Sequence, residues 1–360
     1  MKKAIHIFLF TVLTQWSIAQ TTYTANNNPG AVTGVNIFTG ATALQDAVAA
    51  ASVGDIIYVA RSATDYGTTT VDKQLTIYGI GLNPDTDGSA RSIVSTITIA
   101  NPAATGTRIS GLNITAQLGL GGVAGALDNL LIENSRIRWI QHLNATTTLT
   151  NLIIRNNVIG SGFTTAQEKI DLLAGSIANI IIANNVLYFC ANGDNGVITA
   201  SNGASIENNL FLGDGNSVNK AFENFDGNSV KNNIFLGLRP HATGSFSANT
   251  FENNITYTTG ADAFSLASGN TSTDNIEGQN PLLTNTGSRF SINYSTFDPT
   301  LGVGSPALGT GFGGTDMGVF GGSDPIDITG TPLPLVQSII APTTISQGSD
   351  LPINIKGSGN

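Results

Sequence analysis

The sequence predicts an all-β fold: a right-handed single-stranded parallel β-helix, a solenoid, with a short N-terminal capping helix. Three observations carry this prediction. A strand–corner–strand signature centred on Asn-Asn recurs through the middle of the chain. The apolar positions of each copy are mainly Ile, Val and Phe, not a regular Leu ladder. No helical pattern recurs between copies, which argues against a leucine-rich repeat, and the period is too short for a propeller blade of about 40 to 50 residues.

The clear copies are Ile132-Glu133-Asn134-Ser135, Ile154-Arg155-Asn156-Asn157, Ile182-Ala183-Asn184-Asn185, Ile206-Glu207-Asn208-Asn209, Val230-Lys231-Asn232-Asn233 and Phe251-Glu252-Asn253-Asn254. Measured from the first Asn of each, the steps are 22, 28, 24, 24 and 21 residues. A weaker copy, Ile109-Ser110-Gly111-Leu112-Asn113-Ile114, precedes them, and Asp274-Asn275-Ile276 is a candidate successor. Within each copy apolar and polar residues alternate, the pattern of a half-buried strand. The Asn pair breaks the alternation at a corner, because Asn tolerates left-handed backbone angles and bonds to nearby backbone. One such unit cannot bury its apolar face alone. Stacked units can, and their Asn amides then form a ladder along the stack.

The 360 residues suffice for a large core. Lys2, Lys3, the apolar run Ile7–Leu13 and Ser17-Ile18-Ala19 read as a signal peptide over residues 1–19, cleaved before Gln20. No other stretch reads as a membrane span. Without Lys2 and Lys3, 13 basic residues face 24 acidic ones, a formal charge of −11. That excludes nucleic acid and anionic membrane surfaces as partners. The lone cysteine, Cys190, allows no internal disulfide and reads as a packed thiol. Only His142 and His241 remain after the signal, which argues against His-rich metal sites.

The ends follow from the solenoid, which needs caps. Ala43 to Ala51 has helical apolar spacing, Ser52-Val53-Gly54-Asp55 turns, and Ile56–Ala60 reads as the first strand. The helix, then Gly54-Asp55-Ile56-Ile57-Tyr58-Val59 and Leu75-Thr76-Ile77-Tyr78-Gly79, resembles the opening segment of secreted right-handed β-helix proteins of the pectin-lyase-like superfamily. Gly304-Ser305-Pro306-Ala307-Leu308 with Asp316-Met317-Gly318-Val319-Phe320-Gly321-Gly322 resembles their closing segment. The resemblance spans about residues 35 to 325 and implies fold and an extracellular or cell-surface location. It transfers no catalytic residue: the Asn-Thr-Asp, Asp-Asp and Gly-His-Gly motifs of the polygalacturonase-like hydrolases and the Arg-x-x-Arg with acidic cluster of pectate lyases are absent. The domain reading is therefore 1–19 signal peptide, 20–324 β-helix, and 325–360 a Pro-marked linker with a short strand-forming tail.

Three groups could carry function. Arg138, Trp139 and His142 form the most compact cationic and aromatic group, and Arg239 with His241 a second; either could face a carbohydrate on the outer wall or pack over a coil. Asp194, Asp214 and Asp226 sit in Gly/Asn-rich turns. Ca²⁺ is the cation such carboxylates would suit, but they are not at equivalent positions in their coils, and ordinary Asp-Gly turn chemistry is the simpler account. The residues before the Asn pairs, Glu133, Arg155, Ala183, Glu207, Lys231 and Glu252, alternate in charge. They read as cross-strand ion pairs that hold register, with a catalytic acid beside a base as the functional alternative. The functional expectation is a secreted or cell-surface β-helix with a carbohydrate-binding or structural role, the alternative being a divergent polysaccharide lyase or glycosidase.

Overall fold

The computed structural model describes residues 20–82, 91–160, 169–172, 174–188, 196–201, 203–215, 219–258, 262–264, 266–286 and 296–328, and the backbone of 335–340 and 354–358. The chain folds as the parallel β-helix. The strands of the three stacked sheets all pair in parallel, and successive coils supply neighbouring strands. The first sheet has twelve strands. A second sheet is continuous through Ile93–Ile99 and Asn113–Leu120, which turn a corner, and it then divides into two arms. A third, smaller sheet holds Gly125–Asp128, Thr147–Thr150 and Ser176–Ala178. No helix among the described residues is long and apolar enough to cross a membrane.

Period-two alternation sets the core. Nine successive strands of the first sheet each point one residue inward: Ile57, Ile77, Ile109, Ile132, Ile154, Ile182, Ile206, Val230 and Phe251 lie in one register column and are fully buried. Towards the C-terminus the filling becomes aromatic. Phe211 stacks on Phe235 with ring centroids 4.6 Å apart, and Phe222 on Phe225 at 4.1 Å, contacts worth about 0.5–1.5 kcal/mol each beyond area burial.

The Asn pair divides its labour. The first Asn of each pair (Asn156, Asn184, Asn208, Asn232 and Asn253) has φ of 51–58°, the left-handed corner the sequence called for. The second turns inward. Asn157, Asn185, Asn209, Asn233 and Asn254 are completely buried. The side-chain oxygen of Asn185 accepts from the backbone N–H of Asn157 at 2.9 Å and from its Nδ2 at 3.1 Å. Asn185 repeats this with Asn209, Asn209 with Asn233, Asn233 with Asn254, and Asn254 with Asn275. Each Nδ2 also reaches a main-chain carbonyl of the previous coil, such as Ile182 O from Asn209 at 2.8 Å. Ser135 begins the ladder in place of an Asn. A second ladder, Asn228–Asn249–Asn270, closes the opposite edge of the first sheet in the last coils.

The capping helix, Ala43–Ala50, buries Ala43, Leu44, Ala47 and Val48 over the first coils. Lys73 Nζ donates to the carbonyls of Val48 and Ala51 at its C-terminus, where a cation suits the helix dipole. Contrary to the sequence reading, Ile56–Val59 is not the first strand. Thr22–Asn26 precedes it and pairs in parallel with both Ile37–Thr39 and Ile56–Val59. Its mostly polar Thr-Tyr-Thr-Ala-Asn run buries only Ala25 completely, so hydrophobic alternation is faint.

The closing segment folds back across the coils as a strap. Asn253 Nδ2 donates to Thr310 O, Asn232 Oδ1 accepts from Phe312 N, and Asn208 Nδ2 lies 3.4 Å from the carbonyls of Asp316 and Gly318. Asn184 Nδ2 donates to the carbonyls of Val319 and Gly321. The first Asn of the last four pairs thus holds the strap from outside while the second ties the coils inside. Beneath the strap, Val158, Val186, Leu210, Ile234 and Ile255 form an outward apolar strip, sealed by Ala307, Met317, Val319 and Ile326. Gly318 is required here: its φ is +83°, and a Cβ would meet Ile234 Cδ1 at 2.5 Å. Leu335–Ile340 and Asn354–Ser358 pair as an antiparallel hairpin.

Asn209→Ala removes the acceptor for the buried Asn185 N–H and the donor to Ile182 O, and should cost about 2–4 kcal/mol. The exposed corner change Asn129→Ala breaks no buried bond but leaves an alanine at φ 55°, and should cost about 1 kcal/mol. Denaturant midpoints of the two variants test the difference.

Candidate functional site

The outer face of the first sheet carries two side-chain columns, since residues two apart in a strand share a face. By register, the first column runs Ile56, Thr76, Arg108, Leu131, Ile153, Ile181, Ser205, Ser229. The second runs Tyr58, Tyr78, Ser110, Glu133, Arg155, Ala183, Glu207, Lys231, Glu252. Coils stack about 4.8 Å apart, so ligand-facing chemistry is displayed at that spacing.

The charged column is more closed than the sequence implied. Glu133 is buried, with its carboxylate held between two guanidiniums. Its Oε1 accepts from Arg108 Nε at 2.7 Å and from Arg108 Nη2. Its Oε2 accepts from Arg155 Nε at 2.9 Å and Nη2 at 2.8 Å. Arg108 was not in the sequence-read column, because it stands at the Leu131 level and reaches diagonally. Its Nη1 donates to the Tyr78 hydroxyl at 2.9 Å, and its guanidinium lies 5.2 Å from the Tyr78 ring centroid. Tyr78 stacks on Tyr58 with centroids 5.9 Å apart. Arg155 Nη1 bonds to Asp324, on the strap. Further along, Lys231 pairs with Glu252 at 3.1 Å and lies over the Phe312 ring at 4.0 Å, while Glu207 accepts from the Ser205 hydroxyl.

Beside this network lies a groove of about 690 Å³. Its floor is the apolar part of the first column, Leu131, Ile153 and Ile181, followed by Ser205 and Ser229. Its rim is the corner row Asn129, Asn151 and Asn179. Asn179 Nδ2 donates to Asn151 Oδ1 at 3.2 Å, and Asn151 Nδ2 to Asp128 Oδ1 at 2.8 Å. Donation from the Thr150 hydroxyl, joined by Asn151 and the Asn129 amide, outweighs desolvation and holds the Asp128 carboxyl below the usual range. A flat apolar floor with a line of amides suits a ligand with alternating apolar faces and hydroxyls.

The sequence-read residues lie elsewhere. Arg138, Trp139 and His142 stand at or beside Ile140–His142, and Arg239 and His241 in Arg239–Thr243, both strands of the second sheet's other arm. Four strand steps separate them in that sheet, about 19 Å. The Arg138 guanidinium lies 4.6 Å from the Trp139 ring centroid, and both are half-buried. His241 stacks on Phe246 at 5.1 Å. His142 does not join Trp139 at the surface: it is buried, and its Nδ1 accepts from Gly175 N at 3.3 Å. Burial pushes its imidazole below the usual range, against weaker opposing effects of Leu172, Asp171 and Thr147.

Of the three turn aspartates, Asp194 lies outside the described residues, as does Cys190. Asp214 accepts from Asn219 Nδ2 at 2.6 Å. Asp226 accepts from the Ser245 hydroxyl and from the Ser247 amide and hydroxyl, each of the latter at 2.7 Å. Desolvation works against ionisation there, but these donors outweigh it and hold the carboxyl low. Both act as turn and cross-coil acceptors. Among the described residues no three His, Cys, Asp or Glu side chains are gathered as a metal site. The signal that finds the groove was present in the sequence as Asn129, Asn151 and Asn179, each placed just before an apolar strand.

No protein-family model and no curated protein matches the chain. Among solved structures, it is similar to an alginate lyase from Paenibacillus sp. str. FPU-7, with 17% identity and a TM-score of 0.28, over 71% of this chain and 99% of that one. It is also similar to the PL6 family alginate lyase AlyGC, with 13% identity and a TM-score of 0.26, over 76% of this chain and 49% of that one. The functional reading rests on this chain's own residues.

Two predictions follow from this geometry. Glu133→Gln leaves two guanidiniums over a buried neutral group and should destabilise by about 2–3 kcal/mol, below the fully buried range because both arginines are partly solvated; thermal melts at two salt concentrations test it. Burial holds the His142 imidazole below its unfolded value, which is near pH 6.5. The unfolded state then binds more protons, so stability holds above that pH and falls as pH drops below it. His142→Gln should flatten that fall, read as the difference in denaturant midpoint between pH 8 and pH 5.5 for the two proteins.

Proposed function

We propose that this chain is a secreted or cell-surface carbohydrate-binding β-helix that takes a glycan chain along the outer face of its first sheet. The observation that carries the reading is the groove itself: the apolar floor of Leu131, Ile153 and Ile181 under the amide row of Asn129, Asn151 and Asn179. Pyranose rings offer apolar faces to such a floor and hydroxyls to such a rim. The Tyr58–Tyr78 stack and the Arg108–Glu133–Arg155 network extend the same face beyond the groove. The acidic balance of the chain fits a ligand that is not nucleic acid. The alternative, a polysaccharide lyase or glycosidase, would work on the same face.

Incubation of the mature protein with a panel of neutral and acidic polysaccharides, with and without Ca²⁺, separates the two. Binding without product release is expected. Ile181→Asp, which puts a charge on the floor, should weaken binding about tenfold or more, and Asn151→Ala severalfold. Product release lost on changing residues of this face would make the enzyme reading the correct one. Unchanged binding in both variants would remove the groove from consideration. N-terminal sequencing of protein recovered from the medium should begin at Gln20 if the secretion reading holds.

A further inference from the structure

The charge network on this face is unevenly filled. Two guanidiniums, Arg108 and Arg155, share one buried carboxylate, Glu133, and each spends its Nε and Nη2 on it. Their outward Nη1 groups then differ. That of Arg108 rests on the uncharged Tyr78 hydroxyl, and that of Arg155 on the Asp324 carboxylate. Arg108, Glu133 and Arg155 together carry one net positive charge, and Asp324 cancels it. Asp324 is also the most exposed member of the group, with 48% of its side chain open to solvent against 2% for Glu133.

We propose that Asp324 is a built-in competitor: it occupies the place on Arg155 that an anionic group of a bound glycan takes, so the face accepts an acidic sugar only by displacing the Asp324 side chain. The inference rests on the glycan-binding reading and adds to it a ligand charge and a control. A half-exposed ion pair is weak because water and salt screen it, so exchanging one carboxylate for another on Arg155 costs little. The rest of the strap need not move. Its hold on the coils comes from Asn184, Asn208, Asn232 and Asn253 and from the apolar strip, which buried Ile326 helps seal two residues beyond Asp324, its N–H on Val319 O. Asp324 stands among exposed Gly322, Ser323 and Pro325, between anchored Gly321 and buried Ile326, so its side chain can swing away while both anchors hold.

The test uses the mature full-length protein, titrated calorimetrically with tetragalacturonate as the acidic probe and cellotetraose as the neutral one. Asp324→Asn should bind the acidic probe about tenfold more tightly than wild type and the neutral probe equally. Arg155→Lys, which keeps the charge over Glu133 but loses the fork, should weaken the acidic probe and erase the gain from Asp324→Asn in the double variant. Acidic binding in Asp324→Asn that equals or falls below wild type overturns the competitor role and leaves Asp324 a structural pin. Binding of cellotetraose alone, by wild type and Asp324→Asn alike, overturns the inference and leaves the groove reading standing. Binding of neither probe by either protein, with melting curves showing both folded, defeats both.

Discussion

A buried amide that must be satisfied is the constraint on which the rest of this fold depends. A coil of this solenoid turns its corner by putting one Asn into a left-handed conformation, and the next residue, another Asn, then points into the core. A polar group there is costly unless fully bonded. It becomes bonded only when the next coil brings its own Asn into register, because each side-chain oxygen serves the previous coil and each Nδ2 reaches back to a carbonyl. A slip by one residue would bury unpaired amides along the whole ladder. Register is thereby set more firmly than aliphatic packing of Ile on Ile could set it.

The same corner organises the exterior. Because the first Asn of a pair faces out, it offers an amide to a chain lying along the edge, and at Asn184, Asn208, Asn232 and Asn253 the strap takes it. The apolar strip under the strap follows from pattern as well. Val158, Val186, Leu210, Ile234 and Ile255 directly follow the Asn pairs and would be a large exposed hydrophobic stripe without cover. The charged column sits on the other side of the corner, and there Glu133 shows how a carboxylate can be buried on an outer face: two arginines supply four donors.

Much of this was legible in the residues. The repeat, the corner role of Asn, the pairing of Glu133 with Arg155 and of Lys231 with Glu252, and the capping helix all follow from local alternation, which the solenoid preserves. Asn275 could be placed in the series from Asp274-Asn275-Ile276 alone. What escaped was non-local or faint. Asp324 is 169 residues from Arg155, and no periodicity links them. Arg108 pairs diagonally, so a column drawn by equivalent position misses it. The ladder Asn228–Asn249–Asn270 repeats at 21 residues but presents only one Asn per coil, beside Gly227, Ala248 and Gly269. Proximity of His142 to Arg138 and Trp139 in the sequence says nothing about the strand face, and alternation from Ile140 turns it inward.

The strap has a consequence for where this chain can grow. Corners at Asn184, Asn208, Asn232 and Asn253 are clamped on both sides, inside by the ladder and outside by the strap, so an added residue there would break two sets of bonds at once. The connections between the arms of the second sheet differ in length from coil to coil: Ile159 to Ile170, Tyr188 to Ile198, Leu212 to Lys220, Leu236 to Arg239. The circumference is therefore polarised into a fixed edge and a variable one. New loops, whether inherited or engineered, belong on the variable edge, where successive coils already differ in length.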